Sequence, residues 1–266
     1  MSASLALLDP YLPSKSCVHR ADATVKLLVT LAAVIAVSAT SVRAWPVHLT
    51  YFALLLLAVA LARLPLRSVL RRSLLAAPFL LMALVGLPFV HEGRPLWALL
   101  GGRLTVTDVG LERLANVAVK GWLSLLAVVT LTLTTPFTEI VRGTRRLGLP
   151  AVLSTTILLM YRYLFVLVDE AQRLMRARDA RSGEGYGGSP RQALRFRAQV
   201  TGRLIGTLFL RTLERSERIY HAMLARGYDG EIRRLAPARL GSAQTALGVV
   251  LGLLLAALAV WANLTW

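Results

Sequence analysis

An all-α polytopic membrane protein is the fold class this sequence predicts, and three observations predict it. Of the 266 residues, 56% are hydrophobic and the mean hydropathy is +0.59, more apolar than a soluble domain of this size carries. The apolar residues gather into runs of roughly spanning length, at 27–42, 44–62, 73–90, 114–135, 147–168 and 240–266. The basic residues sit almost entirely between those runs. The net charge of +17 therefore reads as membrane topology and not as a nucleic-acid surface. About five transmembrane helices are expected, with cytoplasmic helices inserted before the last span.

Taken in order, the N-terminal segment carries Lys15, Arg20 and Lys26, and the second connection carries Arg63, Arg67, Arg71 and Arg72. Positive charge marks the cytoplasmic side, so the first two runs form an in-out-in hairpin. The first run is short, and residues 23–26 extend it with Lys26 snorkelling to the interface; Lys120, near one end of the fourth, is expected to do the same. Run 73–90 goes out. The less basic stretch HEGRPLWALLGGRLTVTDVG lies outside, run 114–135 returns, and Arg142, Arg145 and Arg146 are inside again.

Parity then breaks. If 147–168 also crossed, residues 169–239 would lie outside, yet they hold 15 arginines, the most basic block of the chain. Arg162 also sits within that run, where a charge at mid-bilayer is costly. The expectation is that 147–168 does not cross but begins a long helix, apolar first and basic later, at the cytoplasmic interface. The domains are then 1–135, a membrane domain of four spans; 136–239, cytoplasmic helices; and 240–266, a last span that leaves the C-terminus outside.

Punctuation divides the cytoplasmic block. Thr135 and Pro136 read as N-cap and first-turn proline of a short helix ending near Leu147 and Gly148. Pro150 starts the long helix, which runs to Arg181 and stops at Ser182-Gly183. GEGYGGSP is a break, and Ser189-Pro190-Arg191-Gln192 a capping box. The next helix runs to Arg226 with Gly227 just past its end. Phe196, Val200, Leu204 and Leu208 make one apolar stripe along it. Gly202 and Gly206 either let another helix pass closely or are simply tolerated.

Chemistry is sparse. Cys17 is the single cysteine, and His19, His48, His91 and His221 have no ligand spacing, so no metal site is expected. No paired carboxylate, nucleotide loop or nucleophile elbow is present, and Asp169-Glu170 reads as a solvated or arginine-paired face. No cleavable signal is expected at the N-terminus. What recurs is a helix end: Ala180-Arg181-Ser182 and Ala225-Arg226-Gly227 each close a long basic helix. A cation there complements the helix dipole and needs no further role. The alternative is that a slim end, with alanine beside the arginine and a small residue after it, enters a groove and sets its guanidinium against acceptors. Of the 31 basic residues all but Lys15, Lys26 and Lys120 are arginine, which suits forked contacts and also a GC-rich genome.

The stretches HRADATVKLL, TPFTEIVRGTRRLGLP, YRYLFVLVDEAQRLMRARDAR and AMLARGYDG, in this order, resemble the transmembrane coupling (T) component of energy-coupling factor transporters, most of all its cobalt-type CbiQ branch. The resemblance covers at least 8–230. It implies a subunit that is not an enzyme and binds no cofactor, with ATP-Mg on two partner ABC ATPase subunits. It implies that the helix ends Ala180, Arg181, Ser182 and Ala225, Arg226, Gly227 dock into them, with Ser182 departing from the family's glycine. It also implies a substrate-binding, CbiM-like membrane subunit against the coupling helices. We expect that subunit to meet Leu153, Ile157, Leu164 and Phe196, and the helices 150–182 and 189–227 to cross near Gly202 and Gly206. The expected place is the inner membrane, with the N-terminus cytoplasmic, and the expected cargo cobalt, with nickel or a vitamin such as biotin as alternatives. A polytopic enzyme acting on lipids is the reading from another class; it needs a buried catalytic group, and the spans offer none.

Overall fold

The computed structural model describes residues 11–41, 44–84, 95–99, 104–181, 190–230 and 242–265. Among them the chain is helical but for one hairpin: α1 (Cys17–Arg20), α2 (Ala23–Ala39), α3 (Trp45–Leu61), α4 (Leu66–Leu84), β1 (Pro95–Leu99), β2 (Leu104–Thr107), α5 (Asp108–Thr134), α6 (Phe137–Arg146), α7 (Ala151–Arg181), α8 (Pro190–Ala225) and α9 (Ser242–Thr265). Two compact units result, Met1–Gly148 with Ala238–Trp266, and Leu149–Pro237.

In the first unit α2 is the hub, packed on α9, α5 and α6, and α5 also packs on α3 and α4. One buried cluster joins Ala36, Val37, Val47, Tyr51, Leu123, Leu255 and Ala259; a second joins Val59, Leu64, Val69, Leu126, Val129 and Leu133. Small residues bring the helices close, as membrane packing requires where lipid is as apolar as leucine. A side chain at Gly248 of α9 would run into Val25 of α2, and Ala262 is wholly buried. Two polar side chains tie α9 to its neighbours: buried Tyr51 of α3 donates to the Leu255 carbonyl (3.3 Å), and exposed Asn263 Nδ2 donates to the Ala39 carbonyl at the end of α2 (2.8 Å). Outward, Leu74, Leu75, Phe79 and Met82 of α4 and Leu247, Leu253 and Leu264 of α9 are exposed, the surface a bilayer solvates.

The elements follow the apolar runs with shifted ends. α2 begins at Ala23 because the Asp22 carboxylate accepts from the Thr24 N–H (2.8 Å), and α5 at Asp108 because the Thr107 hydroxyl accepts from the Gly110 N–H (3.3 Å). α4 starts at Leu66, earlier than the apolar run, since arginines extend a helix as readily as leucines do; residues 85–90 of that run lie outside the described residues. Both lysines find carbonyls at helix ends. Lys26 Nζ donates to the Thr134 carbonyl (3.1 Å) at the end of α5, and Lys120 Nζ to the Ser38 carbonyl (3.1 Å) near the end of α2. Helix C-termini leave carbonyls without intrahelical partners, and a nearby ammonium takes them. Thr135 makes no cap: its hydroxyl is buried without a partner among the described residues, and the Pro136 carbonyl begins α6 instead.

By length and composition α5, α7 and the stretch Gln244–Thr265 of α9 suffice to cross a membrane, while α2 and α3 are shorter apolar helices. The apolar half of α7 thus has spanning length, and only parity and Arg162 speak for its staying out. Arg162 is exposed, its guanidinium 5.9 Å from the centre of the Tyr163 ring.

Candidate functional site

The sequence singles out two helix ends, and both lie in the second unit. α8 closes at Ala225 in a glycine-locked turn: the Gly227 N–H donates to the Leu224 carbonyl (2.9 Å) and the Tyr228 N–H to that of Met223 (3.0 Å). This double bond pattern is a Schellman cap, and it needs the left-handed backbone that Gly227 adopts at φ +79°. Arg226 is therefore the capping residue itself. It stands exposed at the tip, between exposed Ala225 and exposed Gly227, against the negative end of the helix dipole. Met223 and Tyr228, the two residues such a cap brings together, line one apolar cavity.

α7 ends at Arg181, also exposed, beside exposed Ala180; Ser182 lies outside the described residues, as do GEGYGGS and the cap at Ser189. Arg178 in the same turn is held by Asp179, through Nε (2.9 Å) and Nη2 (2.7 Å). Neither Arg181 nor Arg226 has an acidic partner among the described residues. Other arginines of these helices are unpaired too, so what sets these two apart is their place at a helix end.

The two helices meet at Glu170. Its carboxylate takes Arg211 of α8 at 2.8 Å and Arg173 of its own helix at 3.9 Å, the arginine-paired face that Asp169-Glu170 suggests. Beyond this pair lies the cavity, about 570 Å³, lined by Leu159, Tyr163, Phe209, Leu213, Met223 and Tyr228 among others. Gly202 and Gly206 are elsewhere on α8, exposed, with open space where a side chain would stand. Among the described residues nothing packs within 4 Å of where side chains at these glycines would stand, and the contacts between α7 and α8 lie further along, at Glu170 with Arg211 and around the cavity. Of the residues expected to meet a partner, Leu153 (51%), Leu164 (38%) and Phe196 (45%) are exposed and Ile157 is half-buried.

One feature sequence reading missed lies in the first unit, where α6 rests on the start of α2. Asp22 caps α2 through Oδ1 and takes Arg146 of α6 on Oδ2 at 2.7 Å, while its own N–H donates to Gln244 Oε1 (3.3 Å). Burial alone would raise its carboxyl, but the Thr24 N–H and the Arg146 guanidinium hold it below the ordinary aspartate range. Gly143 of α6 is buried, and a side chain there would come within 3.3 Å of the Thr24 backbone. Nearby, His19 Nε2 donates to the Leu12 carbonyl (3.0 Å), which leaves Nδ1 to accept from the Ser16 hydroxyl (2.7 Å). Asp22 and Arg146, 124 positions apart, leave no local signal of their pairing. The only hint is that HRADATVK and RGTRRLG both belong to the resembling stretches.

A family model described as "CbiQ: Cobalt transport protein" matches residues 14–236. The chain is 27% identical to the energy-coupling factor transporter transmembrane protein EcfT of Acidaminococcus fermentans, over 84% of this chain and 83% of that one. It is 31% identical to the putative ABC transporter ATP-binding protein BL0043 of Bifidobacterium longum, over 84% of this chain and 29% of that protein. It is 32% identical to the putative fused cobalt transport protein CbiMQ of Methanocorpusculum labreanum, over 47% of this chain and 20% of that one. The chain spans under two thirds of the length of the first curated relatives it matches.

Proposed function

We propose that this chain, which belongs to the CbiQ family of cobalt transport proteins, carries ATP-driven movement from two cytoplasmic ATPase subunits to a CbiM-like substrate-binding membrane subunit during cobalt uptake. The chain is a multi-pass membrane protein and the non-catalytic transmembrane component of an energy-coupling factor transporter. The observation that carries the finer reading is the end of α8, where a glycine-locked cap leaves Arg226 exposed at the tip of a long helix. Arg181 at the end of α7 is its counterpart, and each docks on one ATPase, where ATP-Mg is bound. The Bifidobacterium relative, much longer and named for ATP binding, supports an ATPase partner. The fused CbiMQ relative supports a substrate subunit acting beside this one. That subunit lies against Leu153, Ile157, Leu164 and Phe196, and one of its helices passes α8 at Gly202 and Gly206, where the surface is open.

Co-expression with the ATPase and substrate subunits tests this reading. The three kinds of subunit are expected to co-purify and, in vesicles, to accumulate radiolabelled cobalt only with ATP. Co-purification together with uptake of nickel or biotin in place of cobalt would move the cargo and keep the role; a chain that never co-purifies with an ATPase would end it.

Topology follows from the same reading. Residues 136–239 are cytoplasmic in the inner membrane, α7 runs along the interface, and α9 crosses last. Reporter fusions after Gly188 and after Trp266 are expected to report opposite sides. The fusion after Gly188 is the one expected in the cytoplasm; the reverse pattern would mean that α7 crosses, and if both report the cytoplasm, α9 does not cross and the five-span order is wrong.

A further inference from the structure

A coupling subunit needs a place where motion passes from its docked helices into its membrane bundle, and the proposed function leaves that place unassigned. α6 leads through Gly148 and Pro150 into α7, and the element it packs on is α2, the hub on which α9 and α5 also rest. The contact is short and unusually close. Gly143 brings the α6 backbone against Ala23 and Thr24, where a side chain would sit tightly, 3.3–3.4 Å from their backbone atoms. At the same spot the two carboxylate oxygens of Asp22 have separate tasks. Oδ1 accepts from the Thr24 N–H and starts α2, and Oδ2 holds the Arg146 guanidinium at the end of α6. Asp22 is 11% exposed at its side chain and Arg146 35%, so the carboxylate side of the pair is sheltered while the guanidinium reaches the surface. Lys26, one turn on, grips the last carbonyl of α5 and that of His19. Three helix ends are thus tied at one point by charges that complement their dipoles.

We propose that the Asp22–Arg146 pair, seated over Gly143, is the joint that makes α6 and α2 move as one body, so that displacement of α7 reaches the membrane bundle. Asp22 and Arg146 act as positioning residues: neither touches cargo or nucleotide. The inference rests on the coupling role proposed above. It assigns a task to the HRADATVK and RGTRRLG stretches, which neither the docked arginines nor the partner-facing residues explain.

Because the cap and the ion pair use different oxygens, they separate experimentally. Asp22→Asn keeps an oxygen for the Thr24 N–H, since asparagine caps helices as well as aspartate does, and loses the charge on Arg146. In the full complex with ATPases and substrate subunit, Asp22→Asn and Arg146→Gln are expected to keep co-purification and ATP hydrolysis. Uptake per ATP hydrolysed is expected to fall at least about fivefold, the low end of coupling between linked sites. The swap Asp22→Arg with Arg146→Asp should recover part of that loss.

A second readout is independent of cargo. Nitroxide labels at Leu28 on α2 and at Leu147 just past α6 are expected to keep one separation with and without ATP in the wild type; both side chains are exposed and accept a label. In Asp22→Asn a second separation should appear with ATP. A wild type whose label separation itself changes with ATP overturns the joint. So do variants that couple uptake to hydrolysis as the wild type does. Loss of ATPase co-purification by the wild type would instead end the coupling role itself, a different failure with a different signature.

Discussion

Replacing Arg181 and Arg226 together by alanine is expected to release the ATPase subunits and abolish uptake, while the chain still inserts into the membrane. Both arginines are exposed at the ends of long helices, and truncating either leaves the fold of its own unit intact. The loss falls on the partner. A guanidinium docked in a groove is partly desolvated and satisfies acceptors that are otherwise left unpaired, which costs about 2–5 kcal/mol per truncated group. At about 1.4 kcal/mol per factor of ten, one substitution weakens docking by tens- to thousands-fold, and two leave nothing to hold. Arg226→Ala should be the worse single change, since Gly227 locks that end in shape, whereas Ser182 stands where the resemblance implies a glycine. Lysine at either position should rescue only in part, because an ammonium cannot make a forked contact. ATPase co-purification and uptake, measured side by side, check all of this. A double variant that assembles and transports like the wild type would reduce both arginines to charges on helix dipoles.

How much of this was legible in the sequence follows the range of the forces involved. Apolar runs and basic connections gave the helices of the membrane unit, because burial and bilayer insertion act on every residue of a run. Helix ends were legible where one residue decides them, as Gly148 and Gly227 do with positive φ. The start of α2 at Ala23 was legible too, since residues 23–26 complete a short run; ends failed where a cap lies outside the run, as Thr107 does, or where a charged stretch extends the helix, as at α4. The β1–β2 hairpin was not foreseen: its strands carry Pro95 and Trp97 and pair through a bulge, without the alternation that marks a strand. Long-range polar contacts were invisible. Nothing local tells that Asp22 finds Arg146, that Lys26 and Lys120 reach the carbonyls of other helices, or that Glu170 of α7 pairs with Arg211 of α8. The arginine ends were legible as motifs, because a slim cationic helix end is itself a local pattern. That they are exposed, and that one is a Schellman cap, required coordinates.

That cap yields a second large effect, this time without touching an arginine. Nothing lies within 4 Å of where a Gly227 side chain would be, so any loss on substitution comes from backbone conformation and not from a clash. At φ +79° an L-residue pays about 1–2 kcal/mol, and a β-branched one more, while asparagine is tolerated. The chain escapes that strain by undoing the Met223–Tyr228 and Leu224–Gly227 bonds, which frays the last turn of α8 and swings Arg226 off its axis. Gly227→Asn is therefore expected to bind the ATPase nearly as the wild type does, Gly227→Ala about tenfold more weakly, and Gly227→Val hardly at all, in that order. Titration of the membrane complex with purified ATPase measures the series. Since every variant retains Arg226, the ranking separates aim from charge. If all three bind alike, the guanidinium finds its groove from a frayed end, and the glycine has no part in docking.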